Sequence, residues 1–188
     1  TRLRLRAELI DDEEQQKKML ADLEQMEQMI AATLAFARDE AVDEASVRFD
    51  LAAMLQTLAD DISDTNGHAS YTGPDKMEWT GRSSALKRAF QNLADNAVKY
   101  GERADISLQE KDGKIIVTIE DDGPGIPENE RVRVFDPFYR VDPSRNLDTG
   151  GVGLGLAVTR SVIRAHGGEV SFKTGKARFC LVVELPKA

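Results

Sequence analysis

Apolar residues recur at helical spacing through the first forty residues of the chain. In KKMLADLEQMEQMIAATLAFAR they alternate four and three positions apart, at Met19, Leu23, Met26, Ile30, Thr33 and Ala37, with Leu20, Met29 and Leu34 beside them. This seam predicts one long amphipathic helix. The preceding TRLRLRAELI predicts a short helix, and the acidic DDEE between them predicts a turn and a helix start.

The short helix needs a packing partner, because isolated helices below about 12–15 residues are marginal in water. We therefore expect residues 1–45 to form a helical hairpin that docks against a second copy of itself as a four-helix bundle. The alternative is that both helices belong to one larger monomeric domain.

The pattern changes near Asp43 to Arg48, where we place a boundary between residues 1–45 and a second domain, residues 46–188. Helices are predicted for DLAAMLQTLADDI, for SSALKRAFQNLADNAVKYG with a Ser start and a Gly stop, and for GVGLGLAVTRSVIRAHGG. Strands are predicted for HASYT and KMEWTG around GPD, for ADISLQEKDGKIIVTIED as a hairpin, and for EVSFKTGKARFCLVVEL as a closing hairpin. This order predicts an α+β fold, a two-layer sandwich with helices on one face of a sheet.

The stretch between Gly123 and Gly151 shows no strong periodicity and holds four of the six prolines. A loop of that length inside a compact domain is typical of a functional lid or of disorder.

Composition narrows the classes of partner. The 188 residues carry a net charge of −8, and only 6% of them are aromatic, so nucleic acid and anionic membranes are not expected as main partners. ATP stays possible, because a few local cations hold a polyphosphate when distant charges are screened. No apolar run approaches the ~20 residues of a membrane span. The chain begins at Thr1, so we expect a fragment or a processed piece.

The single cysteine, Cys180, lies in the apolar run RFCLVVEL and is expected to be a buried small hydrophobe. Two histidines and one cysteine cannot build a structural zinc site.

Three stretches carry candidate chemistry, and the first is FQNLADNAVKY. Asn92, Asn96, Lys99 and Tyr100 are spaced by fours and threes, so they line one helix face. Amide oxygens are ligands for a hard cation, and a lysine is a point charge for phosphate. The alternative is an exposed polar helix face.

In DDGPGIP, the second stretch, a strand runs into Asp121, after which Gly123 and Gly125 remove side chains where another group must approach closely. A carboxylate beside bare backbone accepts hydrogen bonds from an exocyclic amine. A tight turn is the alternative.

The third stretch, GGVGLGLAV, places Gly151, Gly153 and Gly155 before an apolar helix, yet fits neither the Walker loop nor the dinucleotide fingerprint. The preceding VFDPFYR adds Phe135, Phe138, Tyr139 and Arg140, which we interpret as exposed residues that clamp the loop or cover a ligand. Packing of the loop explains them equally well.

These stretches, in this order, resemble the catalytic domain of sensor histidine kinases, within the superfamily that includes gyrase, Hsp90-type chaperones and mismatch-repair ATPases. NLADNAVKY is similar to the N box, DDGPGIP to the G1 box, VFDPFYR to the F box and GGVGLGLAV to the G2 box. The resemblance covers Phe49 to Pro186 and implies the Bergerat ATP-binding fold with an ATP lid at about residues 123–151.

The resemblance implies ATP and Mg²⁺ as ligands and assigns each box a role. Asn96 and Asn92 bind Mg²⁺, Lys99 reaches phosphate, and Asp121 accepts from the adenine amine. Asn96 and Lys99 are the residues expected to act in catalysis, and Arg140 or Arg145 contacts the γ-phosphate. The full ATP-binding set is Asn92, Asn96, Lys99, Tyr100, Asp121, Gly123, Gly125, Ile126, Arg140, Gly151, Val152, Gly153, Leu154 and Gly155.

The family transfers the γ-phosphoryl group of ATP to a histidine on the dimerisation hairpin and then to an aspartate of a response regulator. TRLRL commonly follows directly after the histidine box, so we expect that box before Thr1, a homodimer through the hairpin, and a cytoplasmic domain of a bacterial inner-membrane sensor. His68 and His166 lie outside an exposed helical context and are not expected to be phosphoacceptors. This chain should bind ATP without phosphorylating itself. The alternatives are a serine kinase acting on an anti-anti-sigma factor and a non-catalytic ATP-binding or dimerisation module.

Overall fold

The computed structural model describes residues 2–10, 12–41, 44–65, 67–141, 152–173 and 178–187. The helices in these ranges are α1 (Arg2–Ala7), α2 (Glu13–Ala41), α3 (Leu51–Asp64), α4 (Ser83–Gly101) and α5 (Gly155–Ala165). The strands are β1 (Val47–Asp50), β2 (His68–Thr72), β3 (Glu78–Gly81), β4 (Arg103–Lys111), β5 (Lys114–Asp121), β6 (Glu169–Phe172) and β7 (Phe179–Pro186), and two 3₁₀ turns cover Glu128–Glu130 and Arg133–Phe135.

The first two helices form where the acidic turn and the apolar seam predict them. The Asp12 carboxylate accepts from the backbone N–H groups of Glu14 at 2.9 Å and Gln15 at 3.1 Å, which caps the start of α2. Within the seam, Met19, Met26 and Ile30 are exposed in the single chain. The side chains of Met29, Leu34 and Ala37 lie outside the described residues, and docking against a second copy stays a prediction.

A five-stranded mixed sheet in the order β2-β4-β5-β7-β6 forms one layer of the rest of the chain, with β2 and β4 parallel and the other pairs antiparallel. Alternate residues of β4 and β5 are buried, as one-sided packing requires. Helices α3, α4 and α5 supply the other side of the core, including Leu55, Phe90 and Ile163. The predicted α+β two-layer sandwich is confirmed. The division into residues 1–45 and 46–188 stays a prediction.

A small second sheet was not predicted. Strand β1 pairs antiparallel with β3, and β2 joins the large sheet, so the two strands around GPD belong to different sheets. The Trp79 indole N–H donates to the Pro186 carbonyl at 2.9 Å and ties the small sheet to the end of β7. Val47–Asp50 alternates apolar and polar residues, but four residues at the lower length limit of a strand, directly before a helix, give only a weak signal, and β1 was missed.

Helix α4 begins at Ser83 and ends at Gly101, as predicted, but the serine does not cap it. The N-cap residue is Arg82, and its side chain makes no capping hydrogen bond. Instead, the Glu44 carboxylate accepts from the backbone N–H groups of Ser84 at 2.8 Å and Ala85 at 3.1 Å. Glu44, about forty positions earlier in the chain, therefore accepts from the first backbone N–H groups of α4. A local serine side chain was expected to do so.

Two local predictions are confirmed. Asp112 and Gly113 both have positive φ, at 52° and 73°, which is the geometry of the tight turn between β4 and β5. Cys180 is fully buried in β7.

Asp50 links three parts of the fold. Its carboxylate accepts from the backbone N–H groups of Met77 at 3.0 Å, Ala52 at 3.1 Å and Ala53 at 3.2 Å. The Met77 N–H contributes most to lowering the pKa of Asp50 below its ordinary value, and the two helix N–H groups lower it further.

Replacing Asp50 with alanine should lower the free energy of unfolding by about 1–2 kcal/mol, because a helix cap and a tertiary hydrogen bond are lost together. Since the folded-state pKa is depressed, this difference is complete at neutral pH and disappears as the pH falls through the folded-state value. Urea unfolding at several pH values measures it. Asp60→Ala, exposed on the same helix, is the control. Equal stability of Asp50→Ala and the parent at pH 7 would contradict the assignment.

Candidate nucleotide-binding site

Asp121 ends β5 and lies in a notch between two glycines. Its side chain is only 6% exposed. A Cβ atom on Gly101 would lie 2.4 Å from Asp121 Oδ1, and one on Gly123 would lie 2.7 Å from the same oxygen. Both glycines therefore leave the space that the carboxylate occupies. Sequence reasoning missed this role of Gly101, because a glycine at a helix end ordinarily indicates only a helix stop.

The carboxylate of Asp121 keeps free acceptor capacity. The Gly123 N–H donates to its Oδ1 at 2.8 Å, and a carboxylate has further lone pairs for other donors. Burial raises the pKa of Asp121 above its ordinary value; the Gly123 N–H and the Arg178 charge lower it, and the Asp122 charge raises it. The result is a buried acceptor that a neighbouring N–H and a cation help to keep ionised.

The polar face of α4 ends at Lys99 and Tyr100, beside the turn that follows Asp121. Asn92, Asn96 and Lys99 are half-buried, and Tyr100 is 50% exposed. The Lys99 ammonium lies 5.1 Å from the centroid of the Tyr100 ring. Since the Tyr100 carbonyl oxygen would lie only 2.6 Å from a Cβ on Gly123, the end of this helix packs against the turn after β5.

Helix α5 begins beside the same face. A Cβ on Gly155, its first residue, would lie 3.8 Å from Asn92 Cβ and Cγ. The buried Thr159 hydroxyl donates to the Ala89 carbonyl at 3.3 Å and holds α5 against α4. The N-cap residue Leu154 provides no side-chain hydrogen bond to the first N–H groups of α5.

The segments VFDPFYR and GGVGLGLAV are joined by a backbone hydrogen bond. The Phe138 N–H donates to the Gly153 carbonyl at 3.0 Å, and both residues have positive φ, at 65° and 76°. A Cβ on Gly153 would lie 2.9 Å from the Phe138 carbonyl carbon. Gly153 is therefore needed both for its conformation and for this close approach.

The expectation of exposed aromatic residues is wrong for Phe135. Phe135 is buried, with its ring centroid 5.3 Å from that of Phe172 and the Arg160 guanidinium 4.7 Å from its own ring centroid. Phe138 is 45% exposed, and the half-buried Tyr139 stacks beneath the Arg133 guanidinium at 4.3 Å. Because the segment has no periodicity, the sequence contains no signal that separates these environments.

Two further residues of the turn after β5 pack towards β7 and the core. Gly125 has a φ of 70°, and a Cβ there would lie 2.9 Å from Phe179 Cδ2. Ile126 is half-buried against the hydrophobic core.

Val152 and Leu154, two further predicted residues, lie directly before α5. Val152 is half-buried and Leu154 is buried. Among the described residues, none accepts a hydrogen bond from Arg140 Nη2, which is buried. Gly151 and Arg145 lie outside the described residues.

Neither histidine has the surroundings expected of a phosphoacceptor. His68 is exposed at the start of β2, and His166 follows α5. His166 Nε2 accepts from the Arg82 N–H at 3.0 Å, and Nδ1 lies 2.7 Å from the Val162 carbonyl. Burial lowers the pKa of His166, which agrees with a neutral ring that holds α5 against the start of α4.

Two features of the described part of the chain bear on the class of protein. In those residues, no three or more His, Cys, Asp or Glu side chains gather as a metal-binding group. No helix in the same ranges has the length and apolarity of a membrane span.

Comparisons with known proteins agree with this geometry. The family model described as histidine kinase-, DNA gyrase B-, and HSP90-like ATPase matches residues 81–188. The sensor histidine kinase GtrS of Pseudomonas aeruginosa is 38% identical over 92% of this chain and 36% of its own length. The sensor protein RstB of Escherichia coli is 36% identical over 95% of this chain and 44% of its own length. The mycobacterial sensor histidine kinase MprB aligns with a TM-score of 0.65 and 27% identity, over 76% of this chain and 97% of that structure.

The chain belongs to the histidine kinase-, DNA gyrase B- and HSP90-like ATPase family. Its ATP-binding domain is of the sensor histidine kinase type. The chain spans less than half the length of the two curated relatives compared above.

Replacing Gly101 with alanine should displace Asp121, because the new methyl group would overlap its carboxylate. We expect the free energy of unfolding to fall by about 1–3 kcal/mol. The dissociation constant for ADP should rise about tenfold or more, as for a lost hydrogen bond to a charged group. Titration calorimetry measures the binding. Gly113→Ala is the control for destabilisation without displacement of Asp121: its φ of 73° strains an alanine, so stability should fall, but it lies in the β4–β5 turn at the other end of β5, so ADP affinity should stay unchanged. Unchanged ADP affinity in a folded Gly101→Ala protein would contradict this role.

Proposed function

We propose that this chain binds ATP with the adenine amino group donating to Asp121. The observation that carries the proposal is the buried carboxylate between Gly101 and Gly123, which retains acceptor capacity at the end of the sheet. A buried acceptor without its donor is costly, so the site favours a base with an exocyclic amine. Tyr100 lies beside this notch and provides an apolar edge for the base.

The phosphates are proposed to lie between α4 and the start of α5. Asn92 and Asn96 would hold Mg²⁺ through their amide oxygens, since oxygen ligands suit this ion and it usually keeps several waters. When bound, Mg²⁺ neutralises phosphate charge. Lys99 would bind phosphate from α4, and Arg140 would use its buried Nη2 donor, which has no acceptor among the described residues. The first N–H groups of α5 add the positive end of a helix dipole.

The segment of about residues 123–151 is proposed to act as a lid over the nucleotide. Its described part is joined to α5 through the Phe138–Gly153 hydrogen bond. Gly151, Gly153 and Gly155 give the backbone freedom where the lid meets the helix. When the lid closes, Val152 and Leu154 would move towards the phosphates.

The reaction we propose is transfer of the γ-phosphoryl group to a histidine of a dimerisation hairpin. The bond between the γ-phosphorus and the β–γ bridging oxygen breaks, a phosphorus–nitrogen bond forms, and ADP leaves with the electron pair. Asn96 and Lys99 act by positioning and by charge neutralisation. The phosphoryl group would then pass to an aspartate of a response regulator. Residues 1–45 would contribute to a homodimer, with residues 46–188 as the ATP-binding domain.

The names of the relatives support this assignment, because both are sensor kinases or sensor proteins of bacteria. We propose that this chain works on the cytoplasmic side of a sensor held in the inner membrane through other segments.

Phosphotransfer is tested with the intact chain, ATP labelled in the γ position, Mg²⁺, and a separate sensor-kinase hairpin that carries its phosphoacceptor histidine. We expect acid-labile, alkali-stable label on the hairpin, as phosphohistidine requires. The same hairpin with its histidine replaced by alanine should stay unlabelled, and Asp121→Asn in the chain should strongly reduce labelling.

Asp95→Asn is the control. Asp95 is exposed on α4, and its carboxylate accepts a hydrogen bond from the Gln91 side chain, outside the notch between Gly101 and Gly123. Binding of ATP without transfer to the hairpin would instead support the non-catalytic ATP-binding module. Absence of nucleotide binding would reject the site assignment itself.

A further inference from the structure

Two arginines and two aspartates alternate at the end of the sheet where β5 terminates. Arg178 Nη1 lies 2.6 Å from Asp105 Oδ2, and Arg178 Nε donates to Asp122 Oδ1. Arg103 Nη2 lies 3.0 Å from Asp105 Oδ1, and its Nε lies 3.9 Å from Asp122 Oδ2. The Ser70 hydroxyl donates to Asp105 at 2.6 Å. This cluster, which we call the sheet-end bridge, joins β2, β4, the end of β5 and the start of β7.

The sheet-end bridge is formed by residues adjacent to Asp121 in the chain and in the neighbouring strands. Asp122 follows Asp121 in the chain, and Arg178 precedes Phe179, the register partner of Asp121 across β5 and β7. Asp105 is the register partner of Glu120, one position before Asp121. Because side chains alternate along a strand, the Asp105 carboxylate and the Asp121 carboxylate lie on opposite faces of the sheet. The sheet-end bridge therefore contacts the turn on the face of the sheet opposite to the proposed nucleotide site.

Resting on the proposed function, we propose that Arg178 is a positioning residue for nucleotide binding: by joining Asp105 to Asp122, it holds the Asp121–Gly123 turn in the geometry that accepts the adenine amine. No atom of Arg178 is needed in contact with the nucleotide. The guanidinium has the planar fork that engages two carboxylates at once, which a lysine ammonium lacks. Sequence reasoning missed Arg178, because an isolated arginine near a strand start carries no signal of its tertiary partners.

Charge supports the same role. Arg178 lowers the pKa of Asp121, whereas Asp122 raises it. The charged groups on the elements around Asp121 are Lys99 and Glu102 at the end of α4, Arg103 and Asp105 on β4, Glu120 and Asp122 beside it, and Arg178 before β7. Replacing either Arg178 or Asp122 should therefore disturb the turn. The pKa of Asp121 should rise when Arg178 is replaced and fall when Asp122 is replaced.

The test measures the dissociation constant of Mg·ADP by titration calorimetry between pH 5 and pH 8 for the intact chain and its variants. At pH 8, Arg178→Gln should weaken binding roughly tenfold, as expected for residues coupled through one salt-bridge network. As the pH falls, its loss of binding should begin at a higher pH than in the parent, because Asp121 protonates earlier. The titration of the nucleotide itself is common to all variants and cancels in the comparison.

Two further variants separate position from charge. Asp122→Asn should also weaken binding at pH 8, yet its loss of binding should begin at a lower pH than in the parent. Arg178→Lys keeps the charge and loses the fork, so its pH profile should match the parent while its affinity stays reduced. Arg164→Gln, which breaks the separate Arg164–Glu169 pair of 3.0 Å, is the matched control and should leave both quantities unchanged.

Folded Arg178→Gln and Asp122→Asn proteins that bind Mg·ADP as tightly as the parent at pH 8 would overturn the proposal. If Arg178→Gln does not fold, the Asp122→Asn result decides, because that side chain is half exposed and its loss is tolerated more easily. A parent that binds Mg·ADP while all bridge variants bind equally would reject only the role of Arg178. A parent that binds no nucleotide would reject the proposed function.

Discussion

The close packing of the end of α4 against the end of β5 is the constraint on which the site depends. Gly101 and Gly123 approach Asp121 so closely that any side chain at either position would overlap its carboxylate. This contact brings the polar face of α4 to the strand end that carries the acceptor. It also excludes water from the carboxylate, which strengthens a hydrogen bond made there and makes an unpaired acceptor costly. In the proposed function, adenine recognition and phosphate binding would both depend on this helix–strand junction.

The remaining parts of the site are arranged around that junction. Helix α5 is held against α4 by the buried Thr159 hydrogen bond, so its start stays beside Asn92. The segment before it is joined to Gly153 by the Phe138 backbone hydrogen bond and to the core by the buried Phe135, whose ring packs against Phe172.

Much of this arrangement follows from local sequence patterns. The long amphipathic α4 and the β4–β5 hairpin are predicted because their periodicity and turn residues are strong, and the structure confirms both. The resemblance of four ordered boxes implies that Asn92, Asp121 and Gly155 belong to one site, which stays a prediction; in the structure Gly155 lies beside Asn92, and Asp121 lies beside Gly101 at the end of the same helix. What the sequence does not reveal depends on contacts between distant residues: the Glu44 cap of α4 and the burial of Phe135 have no local signal.

Comparing ADP with inosine diphosphate is the most direct test of Asp121 as the adenine acceptor. Inosine diphosphate has the same phosphates and ribose but presents a carbonyl oxygen where adenine has its amine. The buried carboxylate should then face an acceptor, so we predict that ADP binds the intact chain at least about tenfold more tightly at neutral pH. Equal dissociation constants for the two nucleotides, measured by calorimetry in the presence of Mg²⁺, would contradict the assignment of Asp121.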